Sequence, residues 1–255
     1  MWRSEGSKAP VFYVHGDLAG GGGYCAELAR TIDAAHPFYD IAPHGTDGRP
    51  LPATIEAMAA DNVRRLHALV PQGPVILAGF CNGGMVAYEM ARQLTAAGNV
   101  VQHLTLIDAV TFNVALPSNV AARRRARQAI ERFRAALARP GRPAGNHWSA
   151  WHDRLVDDMN AALARYFPGP YAGSVSLLWS DERTADEVVA AQARWQRIAP
   201  AATMDRIRGS HLTSVTRHLG ETASILARHI AGPCADWDQR PARQDRLHGP
   251  LAPSL

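Results

Sequence analysis

The sequence has little cysteine: three residues in 255, at positions Cys25, Cys81 and Cys234. An odd three cannot make a disulfide framework, and the count suits a reducing cytosol. Long apolar runs are missing as well. No stretch reaches the roughly 18 residues that a membrane span needs, so no membrane is expected as a partner. The opening, "MWRSEGSKAP", is polar and lacks the hydrophobic region of a signal peptide. A cytoplasmic location is the expectation. Charge of one sign is scarce too. Lys and Arg number 27 against 23 Asp and Glu, a formal +4, with a pI of about 9.2. That excess is too weak to argue for nucleic acid. Internal repeats are absent. The glycine run at 20–23 is no phosphate loop, because no Gly-Lys-Ser/Thr follows it.

What is present is ordinary in bulk and specific in detail. Hydrophobic residues make up 47% and charged residues 20%, the composition of a globular enzyme large enough for one α/β core. Short apolar runs read as strands at "VFYVHG" (11–16), "PFYDIAP" (37–43), "PVILAGF" (74–80), "VVQHLTLID" (100–108), "SVSLLW" (174–179) and "TMDRIR" (203–208). Helical patterns lie between them, at 24–32, 55–70, 83–97 and about 186–198, and a closing helix is expected over 213–230. Strands alternating with helices predict an α/β fold with a mostly parallel sheet covered on both faces.

The alternation breaks from Thr111 to about Pro170. Two amphipathic helices are expected there, one carrying Ile130, Phe133 and Leu137, the other Trp151, Leu155, Met159, Leu163 and Tyr166, separated by "RPGRPAGN". An insertion near the carboxyl ends of the strands is where a lid over a ligand crevice belongs. Trp148, Trp151 and Met159 are candidates for lining the pocket beneath it, with simple packing on the body as the alternative. The domain is drawn at 9–231, with the lid at about 111–170. The aperiodic stretch 232–255, rich in Pro, Asp, Gln and Arg, reads as a disordered tail.

The stretch that carries chemistry is "VILAGFCNGGMVAYEMARQL". A strand runs into Gly-Phe-Cys-Asn-Gly-Gly and straight out into a helix, the form of a nucleophile elbow, G-x-S-x-G, with Cys81 in the serine position. The turn forces the nucleophile into a strained backbone, small neighbours let it pack, and the helix N-terminus favours a thiolate and an oxyanion. A small buried hydrophobe is the bland reading of a free cysteine, but strand, glycines and helix coincide here. A nucleophile needs a base and an orienter. His211, in "IRGSHLTSV" just past the last strand, stands in the chain order nucleophile, acid, histidine. His15 and His103 read as structural. Asp108 ends one strand and Asp181 the next, and either fits the acid. The oxyanion hole is expected from the backbone N–H of Asn82 and, in the loop "VHGDLAGGGG", of Asp17.

With these residues in place, the sequence resembles the thioesterases that release products from polyketide synthases and nonribosomal peptide synthetases, an α/β-hydrolase family. The segments carrying the resemblance are "GPVILAGFCNGGMVAYEMARQLTAAGNVVQHLTLID", "YFPGPYAGSVSLLWS" and "GSHLTSV". The resemblance implies Asp108, rather than Asp181, as the acid. It implies no bound cofactor, and a substrate held as a thioester on the phosphopantetheine of an acyl or peptidyl carrier protein, on which the chain acts in trans. It leaves an amine, an alcohol or water as acyl acceptor. Cys81 departs from the family's usual serine. "ARRRAR" (122–127) reads as a solvated helix face, with a docking patch for an acidic carrier as the alternative. Two other functions stay open at this level. One is a small-molecule ester or lactone hydrolase resembling dienelactone hydrolases. The other is a non-catalytic carrier-binding protein.

Overall fold

Six short runs become the strands of one sheet, the inner ones too apolar to leave a face in water, in a computed structural model that describes residues 1–19, 21–109 and 147–231. They are β1 (Val11–Val14), β2 (Phe38–Ile41), β3 (Val75–Phe80), β4 (Val101–Ile107), β5 (Val175–Ser180) and β6 (Thr203–Ile207). All five strand pairings are parallel, in the order β2-β1-β3-β4-β5-β6. Every residue of β1, β3 and β5 is buried. The helices are α1 (Cys25–Thr31), α2 (Ile55–Leu69), α3 (Asn82–Ala96), α4 (His147–Arg165), α5 (Ala185–Ile198) and α6 (Leu219–Ile230). Among the described residues no helix is long and apolar enough to cross a membrane.

The chain order creates the crevice. From β1 the chain moves outward to β2, then returns past β1 to β3 on its other side. The loops after β1 and β3 therefore leave neighbouring strands at the point where the order reverses, where open parallel sheets bind ligands. Two cores flank the sheet. One joins Phe12, Val14, Leu77 and Leu106 to α2, α3, α4 and α5 through residues such as Met58, Tyr88, Met159 and Trp195. The other joins Val11, Tyr13, Ile76 and Ala78 to α1 and α6 through Leu28, Leu226 and Ile230. Local signals agree with this packing. Thr54 caps α2 by accepting the Ala57 N–H, and Thr184 with Glu187 forms a capping box on α5.

Of the segment read as a lid, the part from 147 lies within the described residues, as α4. Leu155, Met159, Ala162 and Tyr166 are buried in the first core, with Trp151 and Leu163 packed beside them. The expected helix through Ile130, "ARRRAR" and the stretch from 232 lie outside the described residues. The closing helix needs a correction. Instead of running unbroken over 213–230, it is a 3₁₀ turn at Thr213–Val215 followed by α6. The reason is side-chain competition for the backbone. Thr213 Oγ1 accepts the Ser210 N–H, Ser214 Oγ donates to the His211 carbonyl, and Thr222 Oγ1 donates to the Ser214 carbonyl. The β-branched run Thr213, Val215 and Thr216 gains little from helix in return.

Candidate active site

Cys81 sits at the tip between β3 and α3 with φ 56° and ψ −129°. For a residue with a Cβ such a conformation costs about 1–3 kcal/mol and persists only when the surroundings impose it. They do so here from both sides. The Cys81 N–H donates to the Ile107 carbonyl at 3.1 Å, and the Cys81 carbonyl accepts the Gly84 N–H at 3.1 Å. The loop after β1 presses in as well. A Cβ on Gly16 would stand 2.5 Å from Asn82 Oδ1 and 2.8 Å from Cys81 Cβ, and one on Gly83 would meet the Val14 and His15 backbone. Only glycine lets strand, loop and helix approach this closely.

Asp108 repeats the pattern one strand along. It follows β4, its N–H donates to the Leu178 carbonyl at 2.7 Å, and its φ is 41°. Among the described residues Cys81 and Asp108 are the only non-glycine positions with positive φ. Asp108 is buried, 2% exposed. Its Oδ2 accepts from His211 Nδ1 at 2.5 Å and from Ser180 Oγ at 3.1 Å, while Oδ1 accepts from Arg183 Nε at 2.7 Å. Burial alone would raise its pKa. The His211 hydrogen bond and the Arg183 charge outweigh burial and bring it down to about 2.

Four contacts besides Cys81 place His211. Nδ1 bonds Asp108, its ring stacks on Phe80 at a centroid distance of 4.7 Å, its backbone N–H donates to Glu182 Oε2, and its carbonyl accepts from Ser214 Oγ. Burial opposes its charged form. A thiolate on Cys81, the Asp108 hydrogen bond and a hydrogen bond to Cys81 favour that form more strongly, so its pKa rises to about 10. The ring therefore bridges carboxylate and sulfur, the arrangement of a nucleophile with an oriented base.

The other acid lies elsewhere. Asp181 is half exposed and pairs with Arg206 at 3.4 Å. His15 is buried against Tyr24, and burial holds its pKa below the ordinary value. His103 lies further up β4, stacked on His229 and bonded to Ser174 Oγ, with burial holding its pKa down at about 4.

The N–H of Asn82 opens α3 and that of Asp17 follows β1. Neither has a protein acceptor among the described residues. The Asp17 carboxylate fixes its own loop by accepting the Ala19 and Gly22 N–H groups. A small cavity beside this region, of about 10 Å³, is lined by Asn82, Gly83, Asn62, Met58 and Met159 among others. Met159 is thus brought to the site's edge. Trp151 packs against the core beside it, and for Trp148 only its place in α4 is described. Among the described residues no cluster of His, Cys, Asp or Glu has the makeup of a metal site.

Sequence reasoning missed Ser180, Glu182 and Arg183. The segment "WSDERT" carries no period or spacing that announces a contact with a residue 75 positions earlier.

Comparison with known proteins places this fold. The profile of the thioesterase domain matches residues 9–230. A dimodular nonribosomal peptide synthase of Bacillus subtilis (strain 168) is 38% identical over 109 residues, 42% of this chain and 4% of that protein. Indigoidine synthase of Dickeya dadantii (strain 3937) is 39% identical over 109 residues, 41% of this chain and 7% of that protein. The chain thus spans a small part of these curated relatives. Among solved structures, the NocB thioesterase domain in covalent complex with a fluorophosphonate nocardicin G analogue superposes with a TM-score of 0.70. It is 26% identical, over 89% of this chain and 96% of that one. A mutant of YbtT, a type II thioesterase from the yersiniabactin pathway, gives a TM-score of 0.68 at 18% identity, over 88% and 93%.

Proposed function

The chain belongs to the thioesterase domain family, and from that premise we propose that it takes acyl chains from a carrier protein onto Cys81 and passes them on. The substrate class is a polyketide or peptide acyl group held as a thioester on phosphopantetheine. The family's chemistry needs no bound cofactor. The observation that carries the reading is the relay from Asp108 through His211 to Cys81 at the sheet's switch point.

The steps follow from the groups in place. The Cys81 thiolate attacks the thioester carbonyl, and the resulting oxyanion is held by the Asn82 and Asp17 N–H groups. His211, charged and oriented by Asp108, gives its proton to the departing pantetheine sulfur as the carbon–sulfur bond breaks. An acyl-Cys81 thioester remains. Neutral His211 then takes a proton from an amine, an alcohol or water as it attacks, and the Cys81 thiolate leaves. The acceptor is external for transfer, within the chain for cyclisation, and water for hydrolysis.

Sulfur matters to the second half. Loading exchanges one thioester for another, so the acyl group stays activated. A serine would yield an oxoester, less reactive toward amines. We therefore assign transfer or cyclisation, ahead of plain hydrolysis, as the fate of the acyl group. The NocB thioesterase domain forms a covalent complex with a fluorophosphonate nocardicin G analogue, which supports a covalent route on this fold.

Carrier dependence tests the reading. Turnover of carrier-bound acyl chains that far exceeds turnover of the same acyl group as a simple ester supports it. The reverse preference would identify a small-molecule esterase instead.

A further inference from the structure

The turn after β5 closes around Asp108. Ser180 donates to one carboxylate oxygen and Arg183 pairs with the other at 2.7 Å, while His211 shares the first at 2.5 Å. Arg183 is itself held in place. Its guanidinium lies over the Trp179 ring at 4.4 Å, its carbonyl accepts from Arg206 Nη2, and its side chain is 24% exposed. Asp108 thus faces two groups able to carry positive charge, one on each oxygen.

We propose that Arg183 is a positioning residue that offsets the charge of Asp108, so that the carboxylate orients His211 while binding its proton less tightly than an unpaired carboxylate would. In a serine triad the acid's charge supports an imidazolium that forms only during reaction. A cysteine nucleophile already holds its histidine charged in the resting thiolate–imidazolium pair. There an unshared carboxylate charge would overstabilise the imidazolium and hinder release of its proton to the leaving thiol. Cysteine–histidine enzymes elsewhere use a neutral asparagine as the orienter. Asp108 paired with Arg183 has the same net charge as an asparagine, and it still accepts the Nδ1–H.

Among the described residues, these groups face His211. Cys81 meets the ring from the elbow, Asp108 from the end of β4, and Phe80 stacks on it without charge. From the turn after β5, Glu182 accepts the backbone N–H, while Asp181 is paired with Arg206 at the surface. Of the charged residues in that turn, Arg183 is the one in direct contact with Asp108.

The inference rests on the acyl-Cys81 reading, so its test needs no substrate. The His211 ring is titrated by NMR in wild type, Arg183→Gln and Arg183→Lys. Loss of the guanidinium should raise the His211 midpoint by about one pH unit, a tenfold gain in proton affinity. Arg183→Lys, which keeps the charge, should stay near wild type. An unmoved midpoint in folded Arg183→Gln, or an equal shift in Arg183→Lys, overturns the proposal. Absence of any acyl transfer by wild type would count against the functional reading and leave this titration result standing.

Discussion

Asp108 and His211 lie 103 residues apart in the chain and meet through a single 2.5 Å hydrogen bond, from the ring Nδ1 to Oδ2. Asp108 sits just beyond the carboxyl end of β4 and His211 just beyond that of β6, with β5 between them, while β3, which ends at Cys81's neighbour Phe80, flanks β4 on its other side. The stacking of Phe80 on His211 ties the two halves of the site together.

Replacing either Cys81 or His211 by alanine should abolish acyl turnover to a similar extent, by roughly 10⁴-fold or more, because such groups act as a unit. Circular dichroism and thermal unfolding should show the fold intact. A His211→Ala enzyme with near wild-type rate would place the base elsewhere, and His15 would be the next to test.

Asp108→Asn should cost more than about tenfold in kcat, yet less than the roughly 10⁴-fold of a serine triad acid, since Arg183 already offsets its charge. Asp181→Asn, at a half-exposed surface pair, should cost little. Steady-state kinetics on both variants decides. The reverse ranking would move the acid to the strand after.

Asp108 also makes stability depend on pH. Its folded pKa of about 2 lies below the ordinary 3.8, so the unfolded chain binds more protons between these values. Its contribution, of order 2 kcal/mol, is complete above about pH 4 and disappears as pH falls to about 2. Urea unfolding across that range should show the loss in wild type and a flatter profile in Asp108→Asn.

Much of this was legible because burial on both sides writes an inner strand as an apolar run, as in β1, β3 and β5. All six strands stand within two residues of where "VFYVHG", "PFYDIAP" and their counterparts suggest. The elbow was legible for a related reason: a strand, a tight turn and a helix leave glycine at fixed offsets. The choice between Asp108 and Asp181 was not a matter of pattern, since both end strands, and resemblance alone favoured the first. The split of the last helix was hidden because hydrophobic period cannot register Ser210, Thr213 and Thr222 bonding the backbone. Arg183 was hidden for the opposite reason. A lone arginine in a polar turn looks solvated until the fold brings a buried carboxylate to it.

Cys81→Ser separates the two halves of the reaction. The variant should still accept acyl groups from the carrier, but as an oxoester it should lose transfer or cyclisation and either stall or release free acid. Product analysis with the natural carrier-bound chain and candidate acceptors is the measurement. Free acid alone from both wild type and variant, with every acceptor present, would make cysteine merely an alternative hydrolytic nucleophile.

The central claim is an acyl group carried on the sulfur of Cys81. Intact-protein mass spectrometry after mixing with acyl-pantetheine thioesters tests it most directly, with peptide mapping to locate the adduct. The account predicts a gain of one acyl mass, mapped to the peptide containing Cys81 and removed by a thiol or amine acceptor. Turnover without any adduct on Cys81, or an adduct that persists in Cys81→Ala, would contradict it.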